Sequence, residues 1–193
     1  MERERIGILG GSFNPIHTGH LYVARGMLRY GVADHIVLMV SPANPLKHSA
    51  TLLPDKTRLR LARLACEGEE RITVSDLEFT LPKPSYTFQT LRRLSELHPD
   101  KDFILIIGAD NWKLFDKWKN YQEILARYPI AVYPRSGYPV CAGQLPATVR
   151  LVPLPPYDLS ATTIREIIHS GQDISGLVPD KVKDEIERLK LYR

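Results

Sequence analysis

Short apolar runs recur along the chain and alternate with segments of a different periodicity. The clearest run, DFILII at 102–107, is continuous, which is typical of a strand that is buried on both faces. The other runs are also brief and bounded by glycine, proline or charged residues. The predicted strands are residues 5–9, 35–40, 71–75, 102–107 and 130–133, and a further short stretch, 149–153, follows a loop rich in glycine and proline.

Between these runs, apolar side chains recur every three or four residues, which indicates amphipathic helices. Thr18 opens the first such segment and Gly31 closes it, while Pro99 closes the third. Ser160 is placed to act as an N-cap, and Pro179 falls in a first helical turn. The predicted helices begin near residues 18, 54, 88, 121, 160 and 179.

This alternation of strands and helices predicts an α/β fold. We expect a Rossmann-like, open, mainly parallel sheet with helices on both faces. Residues 1–193 are expected to form one domain, with a C-terminal helical segment, about 160–193, packed on it.

In such a sheet, ligands bind outside the carboxyl ends of the strands. Four segments with chemically interesting residues follow predicted strands, and we therefore expect them to converge at one edge. These segments are 10–20, 41–48, 108–110 and 134–137.

The composition is that of an ordinary globular protein with a mild positive charge. Hydrophobic residues make up 44% and charged residues 25% of the chain, and the net charge of +4 suits phosphate-bearing ligands. The nine tyrosines are scattered and do not interleave with basic residues, so no nucleic-acid partner is expected. No apolar run approaches the roughly 18 residues of a membrane span, so no membrane association is expected.

The two cysteines predict the compartment. Cys66 and Cys141 lie far apart without the spacing of a zinc knuckle, and we expect reduced thiols. The beginning of the chain, MERERIGILGG, lacks the apolar stretch of a secretory signal. A cytoplasmic location is therefore expected, and self-association into a homo-oligomer is left open.

The segment GGSFNPIHTGH, residues 10–20, places two histidines three residues apart after a glycine pair. A metal site would need two further donors, and none of the other histidines (His35, His48, His98, His169) pairs at ligand spacing. No metal ligands are therefore predicted. A structural role is the ordinary interpretation of a lone histidine, but here a strand end, two glycines and a helix start coincide.

Anion binding is the third interpretation of His17 and His20. A helix start offers unpaired N–H groups and a partial positive charge, and Gly10 and Gly11 let a phosphate approach the backbone closely. If Thr18 caps the helix, both imidazoles face one side, an arrangement suited to a polyphosphate.

Two familiar phosphate-binding loops are absent from the sequence. No GxxxxGK[ST] string occurs, and the glycines at 7, 10 and 11 do not fit GxGxxG. Asp34 lies near the position of a ribose-binding acid, which gives a dinucleotide-binding oxidoreductase weak support.

At this point the chain resembles a known family. GGSFNPIHTGH matches the (T/S)F(D/N)PxHxGH signature of the HxGH nucleotidyltransferases. Later segments are similar to bacterial nicotinate-nucleotide adenylyltransferases over essentially the whole chain. These segments are PSYTFQTL (84–91), IIGADNW (106–112) with Lys117-Trp118, YPRSGYP (133–139) and LSATTIR (159–165).

The resemblance implies adenylyl transfer from ATP to nicotinate mononucleotide, by direct in-line attack without a covalent intermediate. It implies nicotinate adenine dinucleotide and pyrophosphate as products. Mg²⁺ is expected as a cofactor that ATP itself holds, because this ion is often bound mainly by substrate phosphates and water.

The resemblance also implies roles for individual residues. The catalytic contacts to the ATP phosphates are assigned to His17, His20, Lys47 and Arg165. The rest of the ATP site is assigned to Gly10, Gly11, Ser12, Phe13, Gly108, Asp110, Arg135, Ser160 and Thr162. For nicotinate mononucleotide, Tyr86 and Thr87 resemble the loop that grips the carboxylate, and Trp118 resembles the residue that stacks on the ring.

The choice of acceptor is left open by three departures from the family pattern, at Leu46, Asn14 and Lys119. The alternatives are nicotinamide mononucleotide, phosphopantetheine and alcohol phosphates. The remaining basic residues are expected on solvated helix faces. They include Arg58, Arg60, Arg63, Arg92, Arg93, Lys113 and Lys117.

Overall fold

Six strands form one sheet in the computed structural model, which describes residues 3–42 and 52–193. The strands are β1 (Glu4–Gly11), β2 (His35–Val40), β3 (Ile72–Ser75), β4 (Lys101–Gly108), β5 (Ile130–Tyr133) and β6 (Val149–Leu151). Their order is β3-β2-β1-β4-β5-β6, and each pairing between neighbours is parallel. The predicted α/β class is confirmed, with a sheet that is wholly parallel over the described strands.

Helices connect the strands and cover the sheet. They are α1 (Thr18–Arg29), α2 (Asp55–Ala65), α3 (Thr87–Leu97), α4 (Ala109–Trp112), α5 (Tyr121–Arg127), α6 (Ala161–His169) and α7 (Asp180–Arg188). Short 3₁₀ turns lie at Leu77–Thr80, Phe115–Lys117 and Ala142–Gln144. The sequence predicted neither α4 nor these turns, because elements of one turn carry no periodicity. No helix within the described ranges is both long and apolar enough to cross a bilayer.

The central strand β1 separates two hydrophobic cores. Ile8 packs into the core on one face of the sheet and Leu9 into the core on the other. Gly7 precedes Ile8 and faces the same core as Leu9, where an added Cβ would come within 2.6 Å of the side chains of Ile36 and Ile106. Only glycine therefore lets β1 sit close to both neighbouring strands.

The strand order reverses between β1 and β4, which creates the crevice where ligands of doubly wound sheets bind. β1 ends at Gly11 and β4 at Gly108, so the glycines of both predicted segments lie at this edge. Ser41 follows β2 at the same edge, and Pro134 and Arg135 follow β5. The rest of the predicted 41–48 segment, from residue 43, lies outside the described residues, as does Lys47.

Arg58 of α2 is fully buried, with 0% of its surface exposed, and the prediction of a solvated position for it is wrong. Its guanidinium donates to the carbonyl oxygens of Ser12, Ser41 (2.8 Å) and Leu53 (3.0 Å), and to the Asp55 carboxylate (2.6 Å). Arginine can serve several acceptors at once because its planar guanidinium has five N–H donors. One side chain therefore joins the ends of β1 and β2 to the start of α2.

The C-terminal residues reach back to the segment after β1. α7 packs against α2, where Glu185 accepts from Arg60 and Arg188. Beyond α7, the Tyr192 hydroxyl donates to Asn14 Oδ1 at 2.9 Å. Burial raises the pKa of Tyr192, so this phenol stays protonated and remains a donor.

Replacement of Arg58 should destabilise the protein strongly. Arg58→Met leaves three backbone carbonyls without their donor, and we expect the free energy of unfolding to fall by about 3–5 kcal/mol. Urea denaturation measures this difference. Arg63→Met on the same helix is the matched control, because Arg63 is 59% exposed and should change stability by less than about 1 kcal/mol. Equal effects of the two substitutions would contradict the assignment.

Candidate active site

Two neighbouring cavities open at the carboxyl edge of the sheet. The larger has a volume of about 150 Å³ and the smaller about 40 Å³. Leu9 and Tyr133 belong to the walls of both, so the cavities share a partition. Some of the predicted site residues line one or the other cavity, and some line neither.

The smaller cavity contains the two histidines. His17, and not Thr18 as predicted, is the N-cap of α1, and its backbone N–H donates to His20 Nδ1 at 3.2 Å. The two imidazole rings lie 3.7 Å apart with an interplanar angle of 31°. The prediction that both rings lie on one side of the helix start is confirmed.

Gly19 and Phe13 shape this pair. A Cβ at Gly19 would approach His17 Nδ1 to 2.9 Å and the Tyr157 ring to 3.2 Å. Glycine is therefore required at this position, directly before His20. Phe13 is buried and lies in neither cavity wall, and its ring meets the His20 ring edge-on at 4.9 Å. Phe13 therefore supports a histidine and does not line a cavity.

His17 is a neutral imidazole in this environment. Only 4% of its surface is exposed, and burial lowers its pKa from 6.5 to about 3, with a further contribution from the charge of Arg135. Its Nδ1 is buried and has no hydrogen-bond partner among the described residues. In His20, Nδ1 accepts a hydrogen bond, so in the neutral ring the proton lies on Nε2. The pair can therefore act as a neutral hydrogen-bonding group for an anion.

Arg135 and Asp110 meet beside the histidines. Arg135 lines the smaller cavity, and its Nε lies 3.7 Å from Asp110 Oδ1. That carboxylate oxygen is buried without a hydrogen-bond partner among the described residues. A Cβ at Gly108 would collide with it, so glycine is required before this turn. Asp110, predicted as an ATP contact, lies beside the Arg135 cation and lines neither cavity.

The residues of α6 are placed less directly. Ser160 caps the helix, as predicted, by accepting from the Thr163 N–H at 3.1 Å. Arg165 donates to the Thr162 hydroxyl at 3.1 Å and to the carbonyl oxygen of Asn14 at 2.7 Å. Arg165 therefore reaches the segment that carries the histidines, whereas Ser160, Thr162 and Arg165 line neither cavity.

The larger cavity combines glycines, a helix start and an aromatic ring. Gly10, Gly11, Ser12 and Gly108, predicted as ATP contacts, lie in its wall. Tyr86 is the N-cap of α3 and Thr87 its first residue, so the positive end of that helix also borders the cavity. The Tyr86 N–H is capped by Gln89 Oε1 at 3.4 Å.

Trp118 lines the larger cavity too, after the 3₁₀ turn Phe115–Lys117. Its indole ring packs on Phe115, with centroids 5.5 Å apart, and its Nε1 is buried without a described partner. Lys117 and Lys119 flank it in the same wall. The cavity therefore offers an apolar stacking surface beside two cations.

Several wall residues were missed by the sequence interpretation. The larger cavity also includes Glu78, Ser85, Thr90 and Asn111, and Tyr133 belongs to both walls. Ser85, Thr90, Asn111 and Tyr133 lie inside the segments 84–91, 106–112 and 133–139 that the sequence had marked, but no role was predicted for them. Glu78 had no comparable signal, because a glutamate in a 3₁₀ turn is ordinarily solvated.

A metal centre built from side chains is not present in the described part of the chain. No group of three or more histidine, cysteine or carboxylate side chains in residues 3–42 and 52–193 is placed to hold an ion. The neutral histidines, the nearby cation and the backbone N–H groups instead suit a polyphosphate, and the aromatic cavity suits a flat ring.

Comparison with known proteins agrees with this geometry. The model of the cytidylyltransferase-like family matches residues 8–167. A protein of Bacteroides fragilis named probable nicotinate-nucleotide adenylyltransferase is 47% identical, over 90% of this chain and 87% of its own. A protein of the same name from Bacteroides thetaiotaomicron is 46% identical, over 94% and 90%. The nicotinic acid mononucleotide adenylyltransferase of Plasmodium falciparum, solved in complex with NaAD, has the same fold, with a TM-score of 0.84 over 98% of this chain and 97% of that one, at 20% identity.

The lowered pKa of His17 predicts how stability depends on pH. Between pH 6.5 and about 3 the unfolded chain binds a proton at this residue and the folded chain does not. The contribution of neutral His17 to the free energy of unfolding is therefore complete above pH 6.5 and is lost as the pH falls towards 3. NMR spectra of the imidazole, assigned by comparison with His17→Gln, should show a neutral ring down to about pH 4. A ring that is protonated at pH 6 would contradict the assignment.

Proposed function

The chain belongs to the cytidylyltransferase-like family and, within it, to the nicotinate-nucleotide adenylyltransferases, and we propose that it adenylates nicotinate mononucleotide with ATP. The products are nicotinate adenine dinucleotide and pyrophosphate. The observation that carries this proposal is the pair of adjoining cavities, one with the histidine pair and one with a helix start and Trp118. Two nucleotides bound there would meet at the ends of β1 and β4.

The reaction needs positioning more than it needs a reactive side chain. A phosphate oxygen of nicotinate mononucleotide attacks the α-phosphorus of ATP, the new P–O bond forms, and the bond to the departing pyrophosphate breaks. The attacking monoester has a second pKa of about 6 and is largely ionised at neutral pH, so no general base is required. Catalysis then consists of alignment in line and stabilisation of the charge that develops on the leaving group.

Neutral hydrogen-bond donors suit that leaving group. His20 carries its proton on Nε2, and His17 is neutral before substrate binds, so the pair interacts with phosphate through N–H groups. An approaching triphosphate favours the protonated ring and raises the pKa of His17, since a nearby negative charge stabilises the imidazolium. The histidines can therefore strengthen their interaction as negative charge accumulates.

Cations complete the phosphate site. Arg165 uses two N–H groups on Asn14 and Thr162, and a guanidinium has five. We propose that its remaining donors, together with Lys47, contact the triphosphate, and that Ser160 and Thr162 lie at its edge. Lys47 lies outside the described residues.

The adenosine part of ATP is assigned to the end of β4. Asp110 Oδ1 has no hydrogen-bond partner among the described residues, and Arg135 lies beside it. We propose that this carboxylate accepts from the ribose hydroxyls. Gly10, Gly11, Ser12 and Gly108 line the larger cavity, and we propose that their backbone faces the phosphates where the two nucleotides meet. The Phe13 ring packs against His20, and we propose that it supports the ATP site through that contact.

The larger cavity is assigned to nicotinate mononucleotide. The Thr87 N–H at the start of α3 and the partial positive charge of that helix end suit the nicotinate carboxylate, and Trp118 suits the pyridine ring. The Tyr86 N–H itself donates to Gln89 Oε1 at 3.4 Å. A neutral amide would interact less favourably with this helix end, so the acid is the expected substrate.

Mg²⁺ is proposed to accompany ATP. Its ligands would be phosphate oxygens and water, which fits a site whose described residues form no carboxylate cluster. When bound, the ion would neutralise part of the phosphate charge. Cys66 and Cys141 are free thiols, which supports the further proposal of a cytoplasmic location.

Pyrophosphate release with ATP and Mg²⁺ tests the proposed function. We expect release with nicotinate mononucleotide and, at equal concentration, at least about tenfold less with nicotinamide mononucleotide, since a helix N-terminus favours an anion. Equal use of both would retain the reaction and refute the assignment of Tyr86 and Thr87. Release only with phosphopantetheine or an alcohol phosphate would refute the proposed acceptor.

The histidines should contribute mainly to turnover. His17→Ala and His20→Ala are each expected to lower kcat by about two to three orders of magnitude, the usual loss for one donor to a developing charge. Steady-state kinetics with both substrates saturating measures this. The exposed His98 and His169 provide controls, and their alanine variants should keep wild-type kcat. Near-normal turnover of a folded His17 or His20 variant would contradict the assignment.

A further inference from the structure

Glu78 is a buried carboxylate in the wall of the larger cavity to which the proposed reaction gives no role. It lies in the 3₁₀ turn Leu77–Thr80 after β3, and only 6% of its surface is exposed. A buried carboxylate is costly unless hydrogen bonds replace its lost hydration. Its contacts therefore indicate why it is there.

Two hydroxyl groups occupy its two oxygens. Ser85 donates to Glu78 Oε2 at 3.1 Å, and Thr90 donates to Oε1 at 2.8 Å. Both hydroxyl residues are buried, and both line the same cavity. The Thr90 hydroxyl also lies 3.4 Å from the Tyr86 carbonyl oxygen, and Glu78 Oε1 is the nearer acceptor. Since each hydroxyl has one hydrogen, both donors are engaged within the protein.

The two donors flank the helix start assigned to the acceptor. Ser85 immediately precedes Tyr86, the N-cap of α3, and Thr90 lies in the first turn, where its N–H donates to the Tyr86 carbonyl oxygen at 3.2 Å. Glu78 thus joins the turn after β3 to both sides of the Tyr86-Thr87 pair.

The intervening segment, residues 81–86, includes Pro82 and Pro84, which have no backbone N–H to donate. Its backbone is held at the ends, where the Leu81 N–H donates to the Glu78 carbonyl oxygen at 3.3 Å and the Tyr86 N–H to Gln89 Oε1 at 3.4 Å. The hydrogen bonds of the Glu78 side chain add a link from this segment to α3. Loss of that side chain would remove the link.

We propose that Glu78 is a positioning residue for the acceptor, because it fixes the helix start that receives the nicotinate carboxylate. Glu78 does so through Ser85 and Thr90 and makes no contact with the reacting atoms. This inference rests on the proposed function. It extends acceptor selection to a residue that lies outside the PSYT segment.

Kinetics with each nucleotide varied separately tests the proposal. In Glu78→Ala, we expect KM for nicotinate mononucleotide to rise about tenfold or more, while KM for ATP stays within about threefold. We expect the substitution to change KM more than kcat. The nicotinate carboxylate of the substrate is bound equally in the ground state and the transition state, so weaker binding of it raises KM. The preference for the acid over nicotinamide mononucleotide should fall in the same variant.

Further variants separate positioning from charge. Glu78→Gln keeps one acceptor oxygen and gains an amide donor that a hydroxyl can accept, so it should restore KM to within about threefold of wild type. Ser85→Ala and Thr90→Val each remove one hydroxyl and should each raise the same KM several-fold. Glu96→Ala, on the exposed face of α3, is the matched control and should change neither KM.

The outcomes are distinguishable. A folded Glu78→Ala protein with wild-type KM for nicotinate mononucleotide overturns the inference, as does an equal rise in KM for both nucleotides. If Glu78→Ala does not fold, Ser85→Ala and Thr90→Val decide by the same criterion. Failure of the wild-type protein to use nicotinate mononucleotide overturns the proposed function and this inference with it, and it is seen before any variant is tested.

Discussion

The Arg58 guanidinium is the constraint on which the carboxyl edge of the sheet depends. Parallel strands end in carbonyl groups that have no partner in the ladder, and a loop that leaves such an edge must satisfy them in another way. Arg58 does this for Ser12 and Ser41, and it adds Leu53 just before α2. The first of these carbonyls belongs to the segment that carries the histidines. The packing of α2 therefore also helps to fix the position of the histidines.

The smaller cavity shows how burial changes the chemistry of a histidine. A surface imidazole would be a partial cation at neutral pH, whereas His17 is held neutral by burial and by Arg135. The permanent positive charge beside His17 therefore comes from Arg135, and the histidines contribute hydrogen bonds. Hydrogen-bond donors held in place in this way stabilise negative charge as it develops on a bound phosphate.

Much of this architecture could be predicted from the sequence because its signals are local. The 102–107 run predicted β4, and the spacing of His17 and His20 predicted rings on one side of a helix start. The N-cap of α1 was predicted one residue too late. His17 and Thr18 are both polar, and the structure has His17 as the cap.

The misjudged position of Arg58 and the missed role of Glu78 have a different cause. Both are charged residues that look solvated in sequence, and only partners distant along the chain make their burial tolerable. Arg58 bonds to Ser12, 46 positions away, and no periodicity records that contact. Lys47 and the assigned ligand contacts stay predictions.

Tyr133 has a consequence that follows from its place in the partition between the cavities. Burial raises the pKa of its phenol to about 12, so the ring remains neutral, and it faces both spaces. Any shift of this ring caused by one nucleotide alters the wall that the other nucleotide meets. By thermodynamic linkage, the coupling free energy is the same whichever ligand binds first. A shift of this one aromatic side chain would thus couple the binding of one nucleotide to the binding of the other.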